Sequence, residues 1–285
     1  MIKFGLIGCG DIARKRVAPA LRDSSICELT AISRAQAQLA ESFAREFGAQ
    51  SFYADWRDLL RDREVQAVYV ATPVHLHAEQ TIAAAEAGKH VLCEKPMALN
   101  APECDRMIEA CRRNGVQLGV AYYRHFYPVI RRAQEIIQSG EIGTPVVAQM
   151  NAFEWFAPEP SHPRAWLLKR ELSGGGPMFD FGCHRLEVLL DLFGSVRHVK
   201  ATTASSYFKR EVEDVAVVTL RFESGTCATV TVPHSANEPQ DTFDIFGSRG
   251  SINIPVLNGG RLRVATASGE REELHPAAAN IHQPL

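Results

Sequence analysis

The sequence lacks an apolar run long enough to cross a membrane. No uninterrupted apolar stretch reaches the roughly 18 residues that a transmembrane helix needs. The apolar N-terminus is interrupted by Gly10 and Asp11, so it does not have the pattern of a secretory signal. Internal repeats and low-complexity tracts are also missing. The sequence therefore predicts a globular protein with no membrane partner.

Cysteine pairs and an excess of basic charge are missing as well. The seven cysteines are an odd number and include no Cys-x-x-Cys pair, which argues against a disulfide framework or a closed zinc site. Lys and Arg together number 31 against 33 for Asp and Glu, a net charge of −2, whereas a general nucleic-acid binder carries a basic excess. We expect free thiols, a cytoplasmic location, no bound metal and no nucleic-acid partner.

What the sequence does contain is an alternation of short apolar runs and helical patterns. Strands are predicted at 2–7, 27–32, 65–71, 89–93 and 116–121, with helices at 11–22, 35–47, 75–87 and 101–114, which is typical of βαβ units. Beyond residue 121 come helices at 127–138 and 183–192 and closely spaced strands at 215–222, 227–232 and 242–246. The predicted fold class is α/β. A Rossmann domain with a doubly wound parallel sheet (1–121) is followed by an α+β domain with a mainly antiparallel open sheet (122–285).

A glycine motif at the N-terminus indicates dinucleotide binding. Residues 8–13 read Gly-Cys-Gly-Asp-Ile-Ala, between a predicted strand and a predicted helix. The glycines allow a tight turn and close approach of a pyrophosphate, and the helix N-terminus supplies amide N–H groups. The alternative is a turn that serves only the packing of strand and helix.

The end of the second strand points to the phosphorylated cofactor. An acidic residue there binds the ribose hydroxyl of NAD, whereas arginine accommodates the 2′-phosphate of NADP. This chain has Ser33 and Arg34 at that position. We therefore expect NADP(H) to be favoured over NAD(H), although Arg34 stacking over the adenine is an alternative.

Two further strand ends carry polar groups at the carboxyl edge of the sheet, where ligands bind in open α/β folds. One reads Ala71-Thr72-Pro73 and is followed by His75 and His77, whose spacing of two residues favours capping or packing roles over a metal pair on one helix face. The other reads Glu94-Lys95-Pro96 and presents an ammonium group. Taken alone, Lys95 could be a surface lysine in a turn.

The second domain contains an acid and a histidine four residues apart. Asp180 and His184 follow the glycine run 174–176 and lie near the start of a predicted helix. A neutral histidine accepts a proton near pH 7, and a carboxylate can orient it and stabilise its cation. The alternative is a helix-capping aspartate with a packed histidine. Cys183 beside His184 would also permit a metal, but two residues do not make a site.

Taken in order, these motifs resemble those of the Gfo/Idh/MocA family (glucose–fructose oxidoreductase, inositol dehydrogenase and rhizopine-catabolism proteins). The resemblance is carried by residues 8–13, 71–73, 94–96, Tyr123-Arg124 and Asp180-x-x-x-His184 and covers nearly the whole chain. It implies that Lys95, Asp180 and His184 are the catalytic group. His184 would be the acid/base, Lys95 would bind the reacting oxygen and the nicotinamide ribose, and Asp180 would orient His184 or bind a sugar hydroxyl.

The resemblance also implies an NAD(P)-dependent dehydrogenase or reductase acting on a sugar, polyol or related diol, with the catalytic group in an interdomain cleft. It implies a homo-oligomer, a dimer or tetramer, formed through the C-terminal sheet. The residues predicted to contact the cofactor are Gly8, Cys9, Gly10, Asp11, Ile12, Ser33, Arg34, Ala71, Thr72, Pro73, His77, Glu94 and Lys95. Those predicted to contact the substrate are Tyr123, Arg124, Trp166, Asp180 and His184, although Trp166 could equally be a core or interface residue.

Two departures from the family pattern stand out. Val74 occupies a position that is commonly Asn in the family, and residues 280–285 end where a helix returning to the nucleotide domain would start. We expect the chain either to be a fragment or to be closed by a partner. Two other functions stay open at this level. One is a glycoside-cleaving enzyme that uses transient oxidation, and the other is a non-catalytic dinucleotide sensor.

Overall fold

The computed structural model describes residues 1–276. The expectation of a missing return helix concerns residues 280–285 and lies outside the described residues. The described residues fall into two compact units, Met1–Ala121 and the part that begins at Tyr122. No helix within 1–276 is both long and apolar enough to span a bilayer.

The first unit is a parallel sheet with helices between its strands. The described strands are β1 (Ile2–Ile7), β2 (Cys27–Ser33), β3 (Ser51–Tyr53), β4 (Ala67–Val70), β5 (His90–Cys93) and β6 (Leu118–Val120). The helices are α1 (Ala18–Asp23), α2 (Ala37–Phe47), α3 (Trp56–Arg61), α4 (His77–Glu86) and α5 (Ala101–Arg113). A π-helical turn (Ala13–Val17) precedes α1, and a 3₁₀ turn (Val74–Leu76) precedes α4.

The order of these strands includes one reversal of the winding direction. All neighbours are parallel in the order β3-β2-β1-β4-β5-β6, so the direction of winding reverses between β1 and β4. Ligands of open α/β sheets bind at this switch point, outside the carboxyl ends of the strands. The predicted Rossmann fold is confirmed, and the sequence reading had missed only β3 and α3.

Local signals set the helix ends of this unit. Asn100 caps α5 by accepting the Glu103 N–H at 3.0 Å, and the Glu103 carboxylate accepts the Leu99 N–H at 3.1 Å. Such N-terminal capping typically contributes about 1 kcal/mol. Gly48 follows α2 in the left-handed region (φ +78°), where glycine pays no Cβ penalty.

The second unit is built on a mixed, mainly antiparallel sheet. Its described strands are β7 (Pro145–Trp155), β8 (Val196–Ala204), β9 (Val215–Phe222), β10 (Cys227–Pro233), β11 (Ser235–Gly247), β12 (Gly250–Ile254), β13 (Arg261–Thr266) and β14 (Gly269–Leu274). Its helices are α6 (Pro128–Gln138), α7 (Arg170–Ser173) and α8 (Cys183–Phe193). Short turns of 3₁₀ helix lie at Arg124–Phe126 and Ala165–Leu168, and a π turn lies at Met178–Gly182.

Strand β7 lies in the interior of this sheet. The strand order is β14-β13-β12-β11-β7-β10-β9-β8; the β7–β10 pair is parallel and the other pairs are antiparallel. Along β9, Ala216, Val218 and Leu220 are buried and alternate with exposed residues, so one face of the sheet is covered. The predicted antiparallel sheet is confirmed, although the sequence predicted only β9, β10 and β11 as individual strands and not β7, β8, β12, β13 and β14.

An acid-sensitive ionic network fastens β14 to α6. Arg132 donates to Glu273 at 2.8 Å, and Arg271 donates to Glu273 at 2.8 Å. Hydrogen bonding to Arg132 is the main cause that lowers the pKa of Glu273 to about 2. A depressed carboxyl pKa stabilises the fold above the unfolded pKa of about 4.3, and this stabilisation is lost as pH falls towards 2.

We expect Glu273→Gln to lower the free energy of unfolding by about 1–2 kcal/mol at pH 7, because two charge-assisted hydrogen bonds are weakened. The deficit should shrink as pH falls from 5 to 2. Urea unfolding followed by circular dichroism at several pH values measures it. Glu272→Gln is the matched control, because Glu272 is largely exposed and pairs at the surface with Arg261. An acid-induced loss of stability equal in Glu273→Gln and the parent would contradict the prediction.

Candidate active site

The glycine turn after β1 has a backbone that only glycine tolerates. Gly8 has φ +93°, and its N–H donates to the Ser33 carbonyl at 3.0 Å. A Cβ placed on Gly8 would lie 2.9 Å from the carbonyl carbon and oxygen of Ala71. The turn therefore packs directly against the end of β4, at the switch point of the sheet.

The backbone at Gly10 is not covered by other protein atoms. An added Cβ on Gly10 would meet nothing within 4 Å, so the backbone is open to a ligand there. The helical segment that continues through the π turn into α1 starts at Asp11. The first amide groups of such a helix are the usual donors to a pyrophosphate. Asp11 and Ile12 are exposed at this helix start.

The Arg34 side chain lies beside this turn. Its Nη1 donates to the Cys9 carbonyl at 3.0 Å, which fixes the guanidinium beside the glycines. Ser33, in contrast to Arg34, is buried. The neighbouring Cys9 thiol is neutral, because burial raises its pKa to about 12. Of the predicted pair at the end of β2, Arg34 is therefore the residue whose side chain contacts the glycine turn.

The turns that follow β4 and β5 are joined by a buried histidine. His77 is 1% exposed, and its Nε2 and Nδ1 lie 2.8 Å from the Thr72 carbonyl oxygen and 3.0 Å from the Pro96 carbonyl oxygen. Burial is the main cause that lowers the pKa of His77, against the opposing effect of the two carbonyls. The buried His77 ring thus bridges the 71–73 turn and the 94–96 turn.

The Glu94 carboxylate shapes the turn that carries Lys95. It accepts from the Tyr69 hydroxyl at 2.9 Å and from the Lys95 N–H at 3.1 Å. Glu94 is buried, whereas Lys95 is half-buried. The turn therefore holds the lysine backbone while leaving part of its side chain accessible.

In the second unit, Asp180 and His184 lie on successive turns of one continuous helical segment. Asp180 is in the π turn Met178–Gly182, and His184 is the second residue of α8. His184 is only 2% exposed, and its ring packs 5.0 Å from the Tyr123 ring and 5.7 Å from the Tyr122 ring. A second π turn occurs at Ala13–Val17, and such turns are frequent at functional sites.

Three side chains surround the Asp180 carboxylate. Arg164 Nη2 donates to Asp180 Oδ2 at 2.6 Å, and the guanidinium lies over the Phe156 ring at 4.7 Å. His234 Nε2 lies 3.5 Å from the same Oδ2 atom. Glu154 completes the group, 3.8 Å from Arg164 Nη1.

Glu154, Asp180 and His234 offer ligand atoms within 4.8 Å of one another, a spacing that could suit a metal ion. Arg164 already supplies a cation to both carboxylates. We therefore assign the role of the cation that neutralises these carboxylates to the Arg164 guanidinium and not to a metal ion.

Further polar pairs surround α8. Arg185 binds Asp241, Arg124 binds Asn258, and His125 Nδ1 lies 2.5 Å from Glu187 Oε1. Burial raises the pKa of Glu187 to about 7 and lowers that of His125. Of the predicted substrate contacts, Tyr123 adjoins His184, Arg124 is buried and bound to Asn258, and Trp166 is half-buried in the turn Ala165–Leu168.

Comparison with known protein families decides the affiliation. Residues 2–122 match the oxidoreductase family with an NAD-binding Rossmann fold, and residues 130–253 match the GFO/IDH/MocA C-terminal domain. The chain belongs to the Gfo/Idh/MocA family. The resemblance inferred from the ordered motifs is therefore confirmed, as is the prediction of an oxidoreductase with an NAD(P)-binding fold.

Several Gfo/Idh/MocA relatives resemble the chain over most of its length. 1,5-anhydro-D-fructose reductase of Ensifer adhaerens is 32% identical over 99% of this chain and 85% of its own. D-xylose 1-dehydrogenase [NADP(+)] of Haloarcula marismortui is 29% identical over 89% of this chain and 72% of its own. A solved structure of levoglucosan dehydrogenase with NADH and levoglucosan is 29% identical, with a TM-score of 0.88, covering 100% of this chain and 83% of that one.

Within this Gfo/Idh/MocA chain, sequence reasoning had missed Tyr122, Arg164 and His234. Tyr122 directly precedes the predicted Tyr123-Arg124 pair, so adjacency was an available signal. Arg164 lies in an irregular segment, and His234 follows the alternating pattern of β10 after Pro233. A lone histidine at a strand end carries little information until the fold shows what it faces.

Proposed function

We propose that the chain transfers a hydride between NADP(H) and a hydroxyl or carbonyl group of a sugar or polyol, with Lys95, Asp180 and His184 as the catalytic residues. The observation that carries this proposal is the arrangement around Asp180. The carboxylate is bound by Arg164 at 2.6 Å and precedes the buried His184 by one helical turn. The nicotinamide, when bound, supplies the hydride acceptor or donor.

His184 is the proposed acid/base. In the oxidative direction the imidazole takes the hydroxyl proton of the substrate, and in the reductive direction the imidazolium returns it. The Tyr122 and Tyr123 rings pack against the imidazole and restrict its rotation. Asp180 stabilises the positive charge that His184 acquires, as a carboxylate does in other His–Asp pairs.

Lys95 is the proposed anchor for the reacting oxygen. Its ammonium would donate to this oxygen and stabilise negative charge that develops on it. The hydrogen bonds of Glu94 and the contacts of His77 with Thr72 and Pro96 would keep the lysine turn in place. His77 would then act through the turn, without contacting the dinucleotide itself.

The charge balance near Asp180 supports a neutral substrate. Two carboxylates, those of Glu154 and Asp180, face one guanidinium, that of Arg164, so the group carries an excess of negative charge when His234 is neutral. Hydroxyl groups can donate to carboxylate oxygens, whereas an acidic substrate would be repelled. The sugar substrates named for the relatives agree with this class.

A screen of neutral sugars and polyols with NADP⁺ and NAD⁺, followed by nicotinamide absorbance, tests the proposal. Turnover of at least one sugar or polyol is expected, with strongly reduced rates for Lys95→Met and His184→Asn. A parent chain that binds the dinucleotide but oxidises or reduces no member of the panel would contradict the proposed activity.

We expect Arg34→Gln to raise the Kd of NADPH about 10–100-fold, because a charge-assisted bond to the 2′-phosphate contributes about 1.5–3 kcal/mol. The Kd of NADH should change less than threefold. Fluorescence titration with both nucleotides measures this, with Arg45→Gln as a control on the exposed surface of α2. Equal losses for NADPH and NADH would contradict the assignment of Arg34 to the phosphate.

We also propose a homo-oligomer, a dimer or tetramer, formed through the open face of the second sheet. That face carries exposed apolar side chains at Val217 and Phe246. Sedimentation velocity should show the oligomer, and Phe246→Asp should shift it towards the monomer. A monomeric parent at micromolar concentration would refute the proposal.

A cytoplasmic location is proposed as well, supported by the cysteines between residues 1 and 276, no two of which are joined by a disulfide.

A further inference from the structure

His234 is a buried polar group with an unusual environment. It follows β10 directly and is 0% exposed. Its backbone is fixed on both sides, since its N–H donates to the Asp214 carbonyl at 2.8 Å and its carbonyl accepts the Phe156 N–H at 2.9 Å. The backbone from which the ring projects is therefore held in place by these two bonds.

The ring nitrogens of His234 are not satisfied within the part of the chain that the structure describes. Neither Nδ1 nor Nε2 has a hydrogen-bond partner among residues 1–276. The ring lies 5.0 Å from the Phe156 ring and 5.3 Å from the Phe181 ring. A buried polar group left without a partner costs about 1–3 kcal/mol, so a partner for Nε2 or Nδ1 is needed to offset the burial.

The His234 ring lies near the Asp180 carboxylate, which Arg164 also binds. Nε2 of His234 lies 3.5 Å from Oδ2 of Asp180, and Arg164 Nη2 lies 2.6 Å from that same oxygen. The separation from His234 exceeds a normal hydrogen bond, and a shift of less than 1 Å would bring it into range. Two nitrogen groups therefore converge on one oxygen of the proposed catalytic aspartate.

We infer that His234 is a positioning residue for the reaction: its Nε2–H donates to Asp180 and, together with Arg164, fixes the carboxylate relative to His184. This inference rests on the proposed function for its catalytic consequence. The contact itself is independent of any substrate. The buried donor, His234, and the exposed donor, Arg164, together restrict rotation of the Asp180 carboxylate. Asp180 can then stabilise the His184 cation in one orientation.

The contact requires neutral His234 in the Nε2–H tautomer. In that form Nε2 donates and Nδ1 is an acceptor. The ring then adds no charge beside the Arg164 guanidinium, and the single bond to Asp180 satisfies its donor. The Phe156 and Phe181 rings that pack against His234 offer no competing polar partner.

The first arm of the test observes this contact directly. Histidine labelled with ¹⁵N and ¹³C is incorporated into the full chain, and the His234 signals are assigned by their loss in His234→Gln. We expect the Nε2–H tautomer in the parent and a clear shift of the His234 ring signals in Asp180→Asn. Asp191→Asn, a change on the same helix, should leave them unchanged. His234 signals that do not respond to Asp180→Asn would overturn the inference.

The second arm measures the consequence for catalysis. His234→Phe keeps a ring between Phe156 and Phe181 but removes the donor, and we expect kcat to fall about tenfold or more with the Kd of NADPH unchanged. His234→Gln restores an N–H group near the Nε2 position and should recover kcat to within about threefold of the parent. Val232→Ala, a buried change on β10, controls for loss of stability alone.

The outcomes separate the inference from the proposed function. Equal kcat values for His234→Phe, His234→Gln and the parent would show a packing histidine and overturn the inference. Activity lost on chelation and restored by Zn²⁺ or Mn²⁺ would overturn it in favour of a metal at Glu154, Asp180 and His234. A parent without turnover on any sugar or polyol would instead refute the proposed function. If the parent shows no turnover, or if His234→Phe does not fold, the labelled-histidine measurement alone decides the inference.

Discussion

His184→Asn is expected to reduce kcat about 10²–10⁴-fold while leaving the Kd of NADPH within about twofold of the parent. Asparagine preserves polarity and approximate size but cannot accept and return the substrate proton, and general acid–base catalysis typically contributes a factor of this size. The corresponding rise in the activation free energy is about 3–5 kcal/mol. Steady-state kinetics on the best sugar or polyol substrate and a fluorescence titration measure the two quantities.

Val188→Ala provides the matched control for this prediction. Val188 is buried on α8 one turn beyond His184, so its truncation removes packing from the same helix without removing a titratable group. We expect it to lower the melting temperature and to leave kcat within about threefold. A loss of kcat in His184→Asn no larger than that in Val188→Ala would exclude a proton-transfer role for His184.

The second large effect is expected at the glycine turn, where two alanine substitutions should separate folding from cofactor binding. Gly8→Ala places a side chain at φ +93° and a Cβ 2.9 Å from the Ala71 backbone, which cannot move away easily. The left-handed conformation alone costs about 1–2 kcal/mol. We expect a lower melting temperature and loss of detectable NADPH binding.

Gly10→Ala should leave stability unchanged and still weaken NADPH binding at least tenfold. Gly10 lies outside the left-handed region, and its added Cβ meets no protein atom within 4 Å. The new methyl group would occupy the space through which the pyrophosphate approaches the backbone. Thermal unfolding and NADPH titration of both variants test the pair. Unchanged NADPH affinity in Gly10→Ala would place the pyrophosphate elsewhere.

The first unit could be predicted almost completely because its signals are local. A buried strand, a glycine turn and a helix follow one another within residues 2–23, and Asn100 with Glu103 marks a helix start within four residues. The short strand β3 and helix α3 were missed because three to six residues carry too little periodicity.

The second unit was harder to predict because its partners are distant in sequence. Strand β7 pairs with strands that begin at residues 227 and 235, and no local pattern encodes this pairing. The same applies to the Asp180 environment. Arg164 precedes Asp180 by 180 − 164 = 16 residues, and His234 follows it by 234 − 180 = 54 residues. The motif Asp180-x-x-x-His184 was visible because one helical turn joins its two members.

The location of β7 inside its sheet has a consequence during protein synthesis. Both neighbours of β7 are translated after it, and β10 begins 227 − 155 = 72 residues beyond the end of β7. At about 5–20 residues per second, the ribosome needs on the order of 4–14 s to reach β10. During this interval both edges of an eleven-residue strand lack their native partners. Codons that slow translation between residues 155 and 227 should therefore increase the dependence of soluble yield on chaperones.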